Sequence, residues 1–310
     1  MTTACADQTE RDGPRDECGV FGIYGPEHDV SRLAYFALYA LQHRGQESAG
    51  IAAADRGGSI MTVRELGLVN QVFNEQSLRA LAGELAVGHV RYSTTGSTAW
   101  ENAQPVHRSD RRELALAHNG NLINAVELHA ELREQGVGFR STSDSEIIAA
   151  LLATHEAERI EDAIADVMPR LQGAYSTVVM TKDRVVAFRD PHGLRPLVLG
   201  QAPPVEGGAP GGRYCVASES CAFDIINATL MRDVAPGEMV SFSEKGLSTR
   251  QVIEGERQAF CVFEYIYFAR PDSVMGGGVL QAARGRMGEI LASEAPVDAD
   301  LVIPVPDSGN

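Results

Sequence analysis

The feature that most narrows what this chain can fold into is a succession of short apolar segments separated by turns of a few residues. Residues 174–180 and 184–189 flank Thr181-Lys182-Asp183, and residues 238–242 and 247–253 flank Glu244-Lys245-Gly246. Such pairs read as hairpins, because parallel neighbours need a crossover of a dozen or more residues between them. Many strands with few helices favour antiparallel sheets covered by helices, an α+β design, over alternating βαβ units. With 310 residues the chain allows one large domain or about two ordinary ones, and 44% hydrophobic with 22% charged residues is the balance of a folded globular protein.

Charge then excludes classes of partner. The 27 basic residues against 42 acidic ones leave a formal net charge of −15, which disfavours a general nucleic-acid or anionic-membrane surface and leaves room for a local anion pocket. The longest apolar stretch found, residues 33–41, is about half of the roughly 20 residues that a spanning helix requires. The first 17 residues are polar and acid-rich without a secretory apolar segment, so a cytoplasmic setting is expected. Cys5, Cys18, Cys215, Cys221 and Cys261 form an odd set with no CxxC pair, which disfavours disulfides and an all-cysteine zinc site. Cys215 and Cys221 are expected in the core.

Along the chain, CGVFGIYG (residues 18–25) reads as a glycine-punctuated strand able to lie close to another backbone. Asp29 caps a helix whose apolar residues, Val30 to Leu41, recur at helical spacing. Residues 60–70 and 85–91 read as strands, and residues 114–117 as a short strand ending in a turn at His118-Asn119-Gly120. Ser143-x-x-Glu146 is a capping-box pattern opening a second helix. Residues 196–199 and 214–217 read as strands around the Gly/Pro-rich loop 201–212. A boundary is expected within residues 243–257. Beyond it come an extended aromatic segment (FCVFEYIYFARPDS), a helix over 280–292 and the strand and loop LVIPVPDSG, which together read as the opening of an unfinished domain.

Cys18 follows the polar tail and begins an ordered strand. Alone it reads as buried filler. A cut between Glu17 and Cys18 would give one residue both a thiol and an α-amine of reference pKa about 7.7 to 8.0, an acceptable general base near neutral pH. Four polar clusters accompany it, HRGQESAG (43–50), GHVRYSTTG (88–96), AHNGNL (117–122) and STSDSE (141–146). Each alone reads better as capping, turn formation or a hydrogen-bonded core histidine, and their conjunction is the signal. A metal centre on His43, His89, His107 and His118 is disfavoured, since they follow no recognised ligand spacing.

In order and spacing, CGVFGIYG, LQHRGQESAG, GHVRYSTTG, AHNGN, TSDSE, RDPHGLRPLVLG, ASES and FEYIYFARPDS resemble the glutamine phosphoribosylpyrophosphate amidotransferases of purine synthesis, from Cys18 to the last residue. The resemblance implies a four-layer αββα N-terminal-nucleophile hydrolase sandwich over residues 18–250, a propeptide over 1–17 removed autocatalytically, and over 251–310 a linker with the truncated start of an α/β phosphoribosyltransferase domain. It implies Cys18 as the nucleophile toward the glutamine amide, and the Asn119 side chain with the Gly120 backbone N–H as the oxyanion hole. By the same resemblance, Arg91 binds the α-carboxylate of glutamine and Asp144 its α-ammonium. The bland readings of these two are a structural ion pair and a helix cap.

Members of the family pass the ammonia to phosphoribosylpyrophosphate, held with Mg2+ in the second domain, and assemble as homo-oligomers. Ser308 matches a position tied to the magnesium-bound substrate, and Cys261 matches a ligand position for the 4Fe–4S cluster that some members hold. The family's acidic phosphoribosylpyrophosphate motif is not found in these 310 residues, so glutamine hydrolysis is the main activity expected of them, with exposed apolar surface over residues 260–268. The rival readings are a hexosamine- or asparagine-forming amidotransferase, against which FEYIYFARPDS argues, and a silent fragment whose propeptide is never removed.

Overall fold

Cys18 is followed directly by a fully buried strand, β1 (Gly19–Tyr24), which lies fourth of seven in an antiparallel sheet. The computed structural model describes residues 17–55, 58–92, 99–202, 213–255, 257–305 and 309. After β1 the chain forms α1 (Val30–Ala40), β2 (Ser48–Ala54), β3 (Met61–Leu66), α2 (Val69–Val72), α3 (Glu75–Ala80) and β4 (Leu85–Arg91). Then come β5 (Val106–Ser109), β6 (Glu113–Leu122), α4 (Ala125–Glu134), α5 (Asp144–Thr154) and α6 (Ile160–Val167). The hairpin β7 (Gly173–Met180) and β8 (Arg184–Arg189) is followed by β9 (Val198–Gln201), β10 (Tyr214–Ala217), α7 (Cys221–Asp224) and β11 (Thr229–Asp233). A second hairpin, β12 (Glu238–Ser243) and β13 (Gly246–Gln251), precedes α8 (Leu280–Glu294).

The first sheet runs β11-β9-β10-β1-β4-β2-β3 and the second β13-β12-β8-β7-β6-β5. Side-chain alternation along the strands sorts the apolar residues into layers. From β1, Phe21 and Ile23 pack with Ala34, Leu38 and Leu41 of and just beyond α1, whereas Val20 and Tyr24 turn the other way. From β6, Leu114 and Leu116 pack with Ile148 and Leu152 of α5, whereas Ala115 and Ala117 turn toward the first sheet. The residues between the sheets, among them Val20, Val87, Ala117, Val178 and Ala187, form a core of their own. The order is therefore helix, sheet, sheet, helix, as expected. Gly22 lets the sheets approach: a Cβ there would lie 2.5 Å from a methyl of Val178.

Several local expectations change. The turn expected at His118-Asn119-Gly120 is strand: β6 continues to Leu122, with Gly120 paired to Tyr175. Without a side chain, Gly120 stays in the ladder at φ +153°. The strand expected over 60–70 stops at Leu66, because Gly67 at φ +122° turns the chain into α2. Strand β2, whose sequence is SAGIAAA, is buried at every position and was hidden by its alanines, which are poor strand formers elsewhere.

The capping box is displaced. Ser143 Oγ accepts from Ser145 N (3.2 Å), while Glu146 reaches back to the backbone N–H groups of Arg140 and Ser141. The aromatic segment is not extended: Glu264–Phe268 is a single π-helical turn, closed by Ala269 N donating to Glu264 O (3.3 Å). Residues 301–305 pair with no strand among the described residues. Cys215 and Cys221 are core residues, as expected. Val262, Phe263 and Ile266 are exposed, in keeping with the apolar surface expected at 260–268. Among the described residues no helix is long and apolar enough to cross a membrane.

Candidate active site

The alternation that builds the layers also brings polar residues to one end of the space between the sheets. On β1 the even positions face the second sheet, and Cys18 precedes them in step. On β4 Leu85 and Val87 face the same way, followed by His89 and Arg91. On β6 Ala115 and Ala117 are followed by Asn119. The two sheets join here through the buried His89, whose Nε2 donates to His118 O (3.1 Å). Burial pushes the His89 imidazole down to about 3, so it is neutral at physiological pH.

Cys18 sits beside the end of β4. Its thiol donates to Tyr92 O (3.3 Å), and Tyr92 N–H points back at the sulfur (3.4 Å). Burial pushes the Cys18 thiol up to about 11, the neighbouring Glu17 adds to the rise, and Arg91 and Arg44 oppose it. With the peptide bond to Glu17 intact this sulfur is therefore a thiol at neutral pH and needs a base to become a nucleophile.

The Cys18 carbonyl accepts from Arg44 Nε (3.1 Å), and Arg44 is fully buried between two carboxylates. Its guanidinium meets Glu219 at 2.5 Å and Glu264 at 2.7 Å. Burial opposes the charge of Arg44, but the two glutamates outweigh it and hold the guanidinium above its ordinary value. Burial likewise opposes ionisation of Glu219, yet Arg44 and His43 hold its carboxyl well below the usual range. Glu219 also accepts from Ser273 Oγ (2.7 Å) and Arg270 N (2.9 Å). The network thus ties the Cys18 carbonyl to the 264–273 segment. Arg44, Glu219 and Glu264 were not singled out in the sequence, although each lies inside a quoted motif.

On the second sheet, Asn119 is wholly buried, and neither its amide nitrogen nor its oxygen has a hydrogen-bond partner among the described residues. Beside it, a Cβ on Gly120 would lie 2.0 Å from Ala174 O and 2.8 Å from His118 Nε2, so no other residue fits without rearrangement. Asp144, the first residue of α5, accepts from Leu122 N through Oδ2 (2.8 Å), and its Oδ1 lies 3.7 Å from His118 Nδ1. Arg91 is buried, with Nη1 3.4 Å from Glu47 Oε2.

Among the described residues no group of three or more His, Cys, Asp or Glu side chains is placed to hold a metal ion. Cys261, partly exposed, could therefore supply one cluster ligand at most, and the described residues do not fit a complete iron–sulfur site. Ser308, residues 1–16 and residues 93–98 of the GHVRYSTTG cluster lie outside the described residues.

Fold and site together define a glutamine amidotransferase domain of the N-terminal-nucleophile hydrolase type, and the "Glutamine amidotransferase domain" family model matches residues 89–224. The chain is similar to amidophosphoribosyltransferases over nearly its whole length. It is 47% identical to the amidophosphoribosyltransferase of Mycobacterium tuberculosis (strain ATCC 25618 / H37Rv), over 99% of this chain and 58% of that one. It is 50% identical to the amidophosphoribosyltransferase of Synechocystis sp., over 96% of this chain and 60% of that one. The structure of the B. subtilis glutamine phosphoribosylpyrophosphate amidotransferase complexed with ADP and GMP superposes with a TM-score of 0.85 at 41% identity, covering 94% of this chain and 62% of that one. The chain thus spans about three fifths of the length of these relatives.

Proposed function

We propose that residues 18–250 are the glutamine-hydrolysing unit of an amidophosphoribosyltransferase of purine synthesis, activated by loss of residues 1–17. The freed Cys18 α-amine takes the thiol proton, and the sulfur attacks the side-chain carboxamide of glutamine. Negative charge develops on the carboxamide oxygen, where Asn119 Nδ2 and Gly120 N–H donate to it. Ammonia leaves, and water hydrolyses the thioester to glutamate. Arg91 receives the α-carboxylate in exchange for its long contact to Glu47, and Asp144 receives the α-ammonium through Oδ1.

Asn119 is the observation that carries this reading. A buried side-chain amide without partners costs roughly 1 to 3 kcal/mol, which a merely structural residue would not retain. A fixed donor aimed at a developing oxyanion contributes about 3 to 4 kcal/mol, or roughly 100- to 1,000-fold in rate.

In the whole protein, the ammonia reacts with Mg2+-bound phosphoribosylpyrophosphate to give phosphoribosylamine, in a cytoplasmic homo-oligomer. Residues 251–310 lead into the half that does so. The relatives favour this reading over a hexosamine- or asparagine-forming enzyme. The test is ammonia release from glutamine by the chain and by Cys18→Ala, with intact mass recorded for both. Cys18-dependent release from a chain lacking residues 1–17 supports the reading. Equal rates, or a stable intact N-terminus without activity, identify the silent fragment.

A further inference from the structure

The residue just ahead of Cys18 is held in a way that a disposable tail does not require. Glu17 is only 8% exposed, and its carboxylate lies 2.8 Å from Arg195 Nη2. Burial pushes the Glu17 carboxyl up, and Arg195 is the strongest influence in the other direction. Arg195 is itself fixed by its backbone, whose carbonyl accepts from Arg189 Nε (2.7 Å) and from Ser176 Oγ (3.1 Å). Its Nε and Nη1 are buried and find no partner among the described residues, so Glu17 is the only carboxylate the guanidinium meets there. In the next peptide unit, Arg44 Nε holds Cys18 O. The Glu17–Cys18 bond is thus gripped at its preceding side chain by one buried arginine and at its following carbonyl by another.

We propose that Arg195 is a positioning residue for cleavage of the Glu17–Cys18 bond, acting through the Glu17 carboxylate to hold the scissile carbonyl against the Cys18 thiol. The inference rests on the reading of Cys18 as a nucleophile unmasked by processing. In the cleavage, the sulfur adds to the Glu17 carbonyl carbon and the C–N bond breaks, the nitrogen taking the proton that the thiol gives up. Water then splits the Glu17–Cys18 thioester. This releases Glu17 with a new C-terminal carboxylate and restores the thiol beside a free α-amine. In the proposed chemistry Arg195 acts on neither the glutamine nor the sulfur, so its effect is confined to this step, whereas a structural role of Arg195 itself would be felt both before Glu17 leaves and after.

The experiment follows intact mass over time in the full chain, in Arg195→Gln and in Glu17→Gln. In parallel, chains carrying only a removable initiator methionine ahead of Cys18, with and without Arg195→Gln, are assayed for ammonia release. Both full-chain variants are expected to lose residues 1–17 at least tenfold more slowly than the parent. Once Cys18 is terminal by mass, Arg195→Gln is expected to hydrolyse glutamine within twofold of its own parent. Parental cleavage rates in either variant would overturn the proposal, as would a loss of glutamine hydrolysis in the Cys18-terminal Arg195→Gln chain as large as the loss of cleavage. Failure of the unsubstituted Cys18-terminal chain to release ammonia would instead overturn the glutaminase reading. An uncleaved parent chain would overturn the processing on which both depend.

Discussion

The two sheets end at the site in opposite states. The end of the first is closed on itself: Cys18 is bonded to Tyr92 and Arg44, and Arg44 to Glu219 and Glu264. The end of the second is open: Asn119 is buried with both amide atoms unpartnered among the described residues, and Asp144 uses one oxygen on Leu122 N. A satisfied buried network contributes to the fold and leaves little for a ligand to gain. An unsatisfied one costs stability in the free protein and is repaid when a ligand arrives. Substitutions at the first end should therefore act on stability and those at the second on binding and turnover, with the proposed nucleophile Cys18 and the proposed carboxylate ligand Arg91 the exceptions.

Cys18→Ala should have the largest effect, reducing ammonia release to the uncatalysed background while leaving the fold intact, as a glutamine assay with circular dichroism would show. Arg44→Met comes next. It strands the buried Glu219 and Glu264 carboxylates and should cost about 3 to 5 kcal/mol in urea denaturation. Asn119→Ala should invert that result: kcat falls roughly 100- to 1,000-fold while the urea midpoint stays put or rises, since no hydrogen bond is lost. A clear drop in the Asn119→Ala midpoint would break the contrast.

Asp144→Asn should chiefly raise KM, by about tenfold for one weakened charge-assisted contact, and a change confined to kcat would argue against an ammonium site. The effect that is smallest near neutral pH comes from His89. The His89 imidazole titrates near 3 in the folded state against an ordinary 6.5, so below 6.5 the unfolded chain binds the extra proton. Stability is lost as pH falls from 6.5 toward 3, by about 1.4 kcal/mol per unit from this group at most, and His89→Asn should flatten that slope in a pH series of denaturation curves.

Much of the layering was legible in the sequence because short turns force hairpins and alternation fixes which residues face a core. Thr181-Lys182-Asp183 does connect β7 to β8, and Glu244-Lys245 connects β12 to β13, with Gly246 already in the strand. What was not legible depends on tertiary partners. The alanines of β2 carry no strand signal, and β2 is a strand because β3 and β4 flank it. His118-Asn119-Gly120 has turn composition, and β7 holds it in the ladder instead. Glu264 looks like one polar residue in an aromatic run until Arg44, 220 positions earlier, is seen to draw it inward. At the site itself, the motifs named Cys18, Arg91, Asn119, Gly120 and Asp144. The charges behind them, Arg44, Glu219 and Arg195, carry no local signature, since ion pairing between distant segments leaves no periodicity to read.

The proposed chemistry needs a sulfur and an amine belonging to one residue, and the most direct measurement compares chains beginning at Cys18 with chains that keep one uncleavable residue ahead of it. Glutamine hydrolysis per molecule should be confined to the first, the second falling to the level of Cys18→Ala. Equal turnover by both, with the extra residue still present by mass after the assay, would contradict it.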